Sequence, residues 1–293
     1  MIKPSVQERI QQLLSSRVGV HVEVISVRSV GGGSINEAYQ LITNSGTFFV
    51  KVNSASKFPS MFKKEALGLE ALAATNTIHI PNVIGFSEEG EDAFLLLDWV
   101  EKGTTSTSFW EDFGHQLGQL HKCTHTNFGW TNDNYIGSLV QYNSWTKSWS
   151  SFFIEQRIDP QLKLAVEKGL IDAHKLESFH QLYKQIENIF PNEPPALLHG
   201  DLWSGNYMVT AAGEPMIMDP AVYYGHREMD IAMTQLFGGF DGRLYEAYNE
   251  EYPLNDGWQD RMTMCNLYPL LVHVNLFGSS YLSQVNAVLK QYS

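Results

Sequence analysis

Asp201 and Asn206 stand five positions apart in the run Leu198-His199-Gly200-Asp201-Leu202-Trp203-Ser204-Gly205-Asn206, a polar loop between two short apolar stretches. A carboxylate and a carboxamide so spaced suit phosphoryl transfer. One group orients or deprotonates an attacking hydroxyl, and oxygen ligands hold magnesium beside the phosphates. A plain turn in which both side chains cap backbone groups uses the same residue types. Asp219 separates the two readings. It lies thirteen residues after Asn206, at the end of the apolar run Met216-Ile217-Met218 and before Pro220. Together the three read as a catalytic Asp201 with Asn206 and Asp219 as metal ligands, which implies ATP and Mg2+.

Upstream, Phe48-Phe49-Val50-Lys51-Val52 offers one lysine that can reach α- and β-phosphates as a point charge. Glu65, on the helix-like segment that follows, is the natural acidic partner to orient Lys51, in preference to Glu70 farther along. The turn Gly31-Gly32-Gly33-Ser34 can drape backbone N–H groups over phosphates. It is no Walker A loop, because no Gly-Lys-Ser/Thr follows and no helix starts there. After the apolar run Leu95-Leu96-Leu97, the residues Asp98, Trp99 and Val100 are placed to offer backbone donors and acceptors to adenine.

The elements that position these groups fall in a simple order. An amphipathic helix opens the chain from Ser5, with Val6, Ile10, Leu13 and Leu14 at helical spacing. Residues 22–30, 37–42 and 47–52 then read as strands, 59–74 as a helix, and 81–86 and 93–100 as two more strands, a five-stranded antiparallel sheet with one helix. Beyond the linker Lys102-Gly103-Thr104-Thr105 the pattern turns helical, over 108–121, 142–158 and 173–190, and again from Asp230 onward. The fold class is therefore α+β and bilobal. A small lobe at 1–101, with its hinge at about 98–101, binds ATP, and a larger, mainly helical lobe at 102–293 carries catalysis and the acceptor.

The chain's 43% hydrophobic and 18% charged residues suit a globular protein. Its net charge of -12 repels phosphate backbones, which argues against nucleic acid as a partner. Cys123 and Cys265 lie far apart in no metal-like spacing, so the reading is a reducing cytoplasm without disulfides. No secretory signal or membrane-length apolar run is present, and a monomer is favoured.

Three stretches resemble the fructosamine kinase (ketosamine kinase) family of the protein-kinase-like superfamily. They are Gly31 to Asn36 (GGGSIN) with Lys51, the 198–206 run LHGDLWSGN, and the 224–240 run YGHREMDIAMTQLFGGF. Phe128-Gly129-Trp130, Asn134-Tyr135-Ile136-Gly137 and Trp145 are similar to that family's substrate-lobe sequence. Aminoglycoside phosphotransferases and choline kinases share only the sparser skeleton. The resemblance implies a kinase acting on the 3-hydroxyl of a ketoamine sugar, free or protein-bound, whose 3-phosphate then eliminates and frees the amine. It also implies that Asp230 braces the catalytic loop from the start of a helix. Trp203, His226, Arg227 and Glu228 are candidates to touch the sugar or amine; the last three could equally form salt bridges.

Two features depart from related patterns. Ser34 stands where several family members place a cysteine, which argues against thiol control through that loop. Trp203 stands where kinases of Ser or Thr place a lysine, and only ten residues separate Asp219 from Asp230, too few for a long activation segment. A small acceptor is expected. The rivals are a kinase of aminoglycosides or choline, and a catalytically silent kinase-like binding protein.

Overall fold

Lys3 is extended and Pro4 has a fixed φ, so a helix can begin at once: α1 covers Pro4–Val18 and stops where Gly19 turns left-handed (φ 73°). A computed structural model of the protein describes residues 2–31 and 35–292. Contacts within the chain divide it into two units, Met1–Phe109 with Tyr207–Asp219, and Trp110–Asn206 with Pro220–Ser293.

In the first unit, β1 (Val24–Val30), β2 (Glu37–Thr43), β3 (Gly46–Ser54), α2 (Met61–Ala73), β4 (Val83–Ser87) and β5 (Asp92–Asp98) follow α1. The sheet order is β1-β2-β3-β5-β4, with every neighbour antiparallel. Side chains alternate along β3. Val50 and Val52 therefore enter the core that holds Val6, Ile10 and Leu14 of α1, each such side chain contributing about 1.5–3 kcal/mol when fully buried. Lys51 consequently points to the opposite face. A hairpin of Tyr207–Val209 and Pro215–Ile217 belongs to this unit and is tied to it by the Ile217 N–H donating to the His79 carbonyl at 3.1 Å. It delivers Asp219.

The second unit is mainly helical: α3 (Phe109–His121), α4 (Trp149–Phe152), a π-helical turn at Phe153–Ile158, α5 (Asp159–Glu167) and α6 (Leu176–Ile189), then α7 (Glu228–Leu236), α8 (Gly242–Glu251), α9 (Trp258–Cys265), α10 (Leu267–Phe277) and α11 (Leu282–Gln291). On α6 the residues Phe179, Leu182 and Ile186 form the buried stripe that its period predicts. Short antiparallel strands Ala196–Leu198 and Tyr223–Gly225 pair so that Leu198 lies opposite Tyr223. That pairing fixes the start of the catalytic loop. The expected helix over 142–158 starts only at Trp149, capped by the Ser148 hydroxyl, because Thr146 bridges to Phe128 and the Asn143 N–H donates to Asp133. Among the described residues no helix is long and apolar enough to cross a membrane.

Candidate active site

In the first unit, alternation on β3 turns Lys51 toward α2, where Glu65 lies one turn from the buried Phe62 and Leu69. The Lys51 ammonium donates to Glu65 Oε1 at 2.6 Å and to Asp219 Oδ1 at 2.7 Å. Burial opposes a cation at Lys51, yet the two carboxylates outweigh it and hold its pKa above the ordinary lysine value. Lys51 is thus a fixed positive charge. Its side chain is only 6% exposed, whereas the Asp219 side chain is 42% exposed. Glu70 is exposed on α2 and plays no part in this cluster. Asp219 adopts φ 59°, a left-handed conformation that few non-glycine residues hold.

In the second unit Asp230 organises the loop. Its carboxylate accepts from the His199 N–H at 2.7 Å, the Gly200 N–H at 2.9 Å and His121 Nε2 at 3.2 Å, while His121 Nδ1 pairs with the Tyr248 hydroxyl at 2.8 Å. Burial raises the pKa of Asp230, but these donors and the nearby histidines outweigh it and keep the group below the usual carboxylate range. Gly200 has φ 82°, and a Cβ there would lie 2.1 Å from the Ala221 carbonyl oxygen, so only glycine fits. Asn206 Nδ2 donates to the Asp201 carbonyl at 2.8 Å and to Asp201 Oδ2 at 3.1 Å. The amide nitrogen faces Asp201, which turns the amide oxygen the other way. Trp203, 37% exposed, stands edge-on to Phe237. His121 was invisible to sequence reasoning, because a lone histidine at a helix end carries no spacing signal.

The Asp98 N–H is already committed to the Asn82 carbonyl, and its side chain accepts twice from Asn82. Of the expected adenine-binding groups this leaves the Asp98 carbonyl and the backbone of Trp99 and Val100. Gly31 is exposed at the end of β1; Gly32, Gly33 and Ser34 lie outside the described residues.

The segment 226–228 differs from a sugar-binding surface. Arg227 forms a bidentate pair with Glu193 at 2.7 and 2.8 Å and donates to the carbonyls of Tyr252 and Pro253, and Glu228 takes a bidentate pair from Arg261. His226 is buried, with Glu193 at 3.8 Å. Of the two open readings, the structure has the salt bridges for Arg227 and Glu228, whereas the buried His226 has no hydrogen-bond partner at Nε2 among the described residues. Arg227→Met should therefore lower stability in urea unfolding by about 3–5 kcal/mol, since it strands a buried Glu193. The acceptor KM of the folded fraction should be unchanged.

Among the described residues no cluster of three or more His, Cys, Asp or Glu could hold a metal. Magnesium does not require one, since one or two protein oxygens together with substrate phosphates suffice. Asp219 in the first unit and Asn206 in the second each carry an oxygen of the kind a hard cation takes.

A five-stranded sheet presenting a lysine–glutamate pair, and a helical unit whose aspartate loop is braced from a helix start, define a protein-kinase-like phosphotransferase fold. An aminoglycoside phosphotransferase crystallised with AMP-PNP and hygromycin B has the same fold, with a TM-score of 0.62 at 14% identity over 96% of this chain and 98% of that one. The fructosamine kinase family model matches residues 6–293. The chain belongs to the fructosamine kinase family. It is 40% identical to a Synechocystis protein named a probable ketoamine kinase, over 98% of this chain and 97% of that one. It is 39% identical to the chloroplastic protein-ribulosamine 3-kinase of Arabidopsis thaliana, over 94% and 84%. A Haemophilus somnus structure assigned as a fructosamine-3-kinase has a TM-score of 0.88 at 33% identity over 97% and 96%.

Proposed function

We propose that this enzyme transfers the γ-phosphoryl group of ATP to the 3-hydroxyl of a ketoamine sugar, a fructosamine, ribulosamine or erythrulosamine adduct of an amine. The observation that carries the reading is the Asp201 loop, where the carboxylate accepts from Asn206 and the loop backbone is braced by Asp230, which supports a role for Asp201 in phosphoryl transfer. Membership of the fructosamine kinase family supports the acceptor.

In the proposed mechanism Lys51, oriented by Glu65, holds the α- and β-phosphates. Asp201 accepts the proton of the 3-hydroxyl as its oxygen attacks phosphorus in line with the departing ADP. Asn206 and Asp219 would supply oxygen donors to magnesium, which would offset the charge on the phosphate oxygens. Trp203 offers an exposed ring face to the sugar. The 3-phosphate product is prone to elimination, which releases the amine, so the role is deglycation. Unpaired Cys123 and Cys265 suit a reducing cytoplasm.

A coupled ADP-release assay on fructoselysine, ribuloselysine, choline and kanamycin tests the reaction class and the acceptor together. Turnover is expected with the two ketoamines, with phosphate on the sugar C3 by NMR. Turnover with only choline or kanamycin would replace the acceptor, and none with any of the four would favour a silent kinase-like protein.

A further inference from the structure

Arg157 is fully buried in the π-helical turn, a form of helix that recurs at functional sites. Pro160, near the start of α5, cannot donate to the Gln156 carbonyl four residues back, and Arg157 Nη1 donates there instead at 3.1 Å. Nη1 also reaches the Tyr142 carbonyl, and Nη2 donates to Asn143 Oδ1 at 2.8 Å. None of these partners is a carboxylate. The cation is instead faced by rings, with its guanidinium carbon 3.9 Å from the centroid of Tyr223, 4.5 Å from Phe152 and 5.3 Å from Tyr268. A buried charge kept without an acidic partner is costly and calls for a reason.

The reason lies in where its hydrogen bonds lead. A guanidinium can only donate, so Asn143 must accept on its oxygen and donate from Nδ2, which it does to Asn134 Oδ1 at 3.0 Å. Asn134 must in turn donate from its own Nδ2, and the acceptor is the Val222 carbonyl at 2.8 Å. Gln141 Nε2 donates to the same Asn134 oxygen at 2.8 Å and to the Ala221 carbonyl at 2.9 Å, and its Oε1 accepts from the Tyr268 hydroxyl at 2.8 Å. The cation thus anchors the oxygen end of a chain of three buried amides, whose first member also donates from Nδ2 to the Asn132 carbonyl at 3.1 Å, and the chain ends on two adjacent carbonyls. Those carbonyls belong to the segment that holds the catalytic loop. The Ala221 N–H donates to the His199 carbonyl at 2.9 Å, and the Ala221 oxygen abuts Gly200 so closely that no Cβ fits. Tyr223 and Tyr268, the rings over Arg157, also wall a cavity of about 20 Å³ shared with Gly200 and Asp201.

From this connected path we infer that Arg157 is a positioning residue for phosphoryl transfer. Through Asn143, Asn134 and Gln141 it orients the 221–222 backbone and so sets the aim of the Asp201 carboxylate, touching no substrate itself. The inference rests on the reading of Asp201 as the hydroxyl's proton acceptor.

The test compares Arg157→Gln with Gln141→Leu in the full chain. Arg157→Gln removes the donor-only group that holds Asn143 Oδ1 and loosens the amide chain at that end. Gln141→Leu cuts the link to Ala221 and keeps the cation. For both, kcat is expected to fall on the order of 10²-fold, the cost of a displaced catalytic group, with KM for ATP and ketoamine within about threefold of wild type. Hydrogen exchange, which needs no substrate, should be faster across 199–201 and 221–223 and unchanged in α6. If wild type turns over no ketoamine, the functional reading fails, and the exchange result still decides the network. Folded variants with wild-type kcat and unaltered loop exchange would overturn the inference, as would accelerated exchange in α6 equal to that in the loop. Should Arg157→Gln fail to fold, the same readings on Gln141→Leu decide.

Discussion

Asp201→Ala is expected to lower kcat for ketoamine phosphorylation by roughly 10²–10⁴-fold and to leave KM for ATP close to wild type. The attacking hydroxyl is a weak nucleophile until its proton is taken up, and Asp201 is the group proposed to take it. Lys51, Glu65 and Asp219 hold their own geometry without Asp201, so nucleotide affinity has no cause to change. The fold should also persist, because Asn206 Nδ2 keeps its stronger contact, the 2.8 Å bond to the Asp201 main-chain carbonyl. A steady-state comparison of purified proteins measures this directly. Wild-type turnover by Asp201→Ala would remove Asp201 from the mechanism.

The largest effect on stability is expected at Asp230. Asp230→Ala withdraws the shared acceptor of His199 N–H, Gly200 N–H and the buried His121 ring. Each orphaned donor costs about 1–3 kcal/mol, and removing the charged partner of a buried cluster costs about 3–5 kcal/mol. The contribution has a defined pH window. The carboxyl titrates lower in the folded chain than in the unfolded one. Its stabilisation is therefore complete above the unfolded value, near pH 4, and is lost as pH falls through the folded value. Urea unfolding of wild type and variant should show a constant gap from pH 6 to 8 that closes only in acid. A gap that instead closed between pH 6 and 8 would mean that the Asp230 carboxylate does not govern the cluster.

The strands and the Lys51–Glu65 pair were legible because their signals are local. β-rich runs punctuated by Gly31 and Asn44-Ser45-Gly46 mark the sheet, and of the two helix glutamates that follow the strand lysine, the nearer, Glu65, is the one that pairs with it. Residues 142–158 misled because Asn143 and Thr146 are helix-compatible by type but are held by partners such as Asp133 and Phe128, distant enough that no local pattern records them. The strand Tyr223–Gly225 was missed because three residues are too few for alternation to register. At the site, the ionisable run His226-Arg227-Glu228 looked like binding chemistry because composition does not reveal burial. Arg157 gave the opposite difficulty, since nothing near it in sequence predicts a cation enclosed by aromatic rings.

The left-handed backbone at Asp219 sets folding and chemistry at odds. An L-residue there costs on the order of 1 kcal/mol that glycine would not. Backbone conformation alone would favour glycine at this position, and the carboxylate that pairs with the buried Lys51 opposes it. Drift toward glycine at this one position, in a lineage that has stopped using the reaction, would relieve the backbone at the expense of the Lys51 pair and leave a record of lost activity in the sequence.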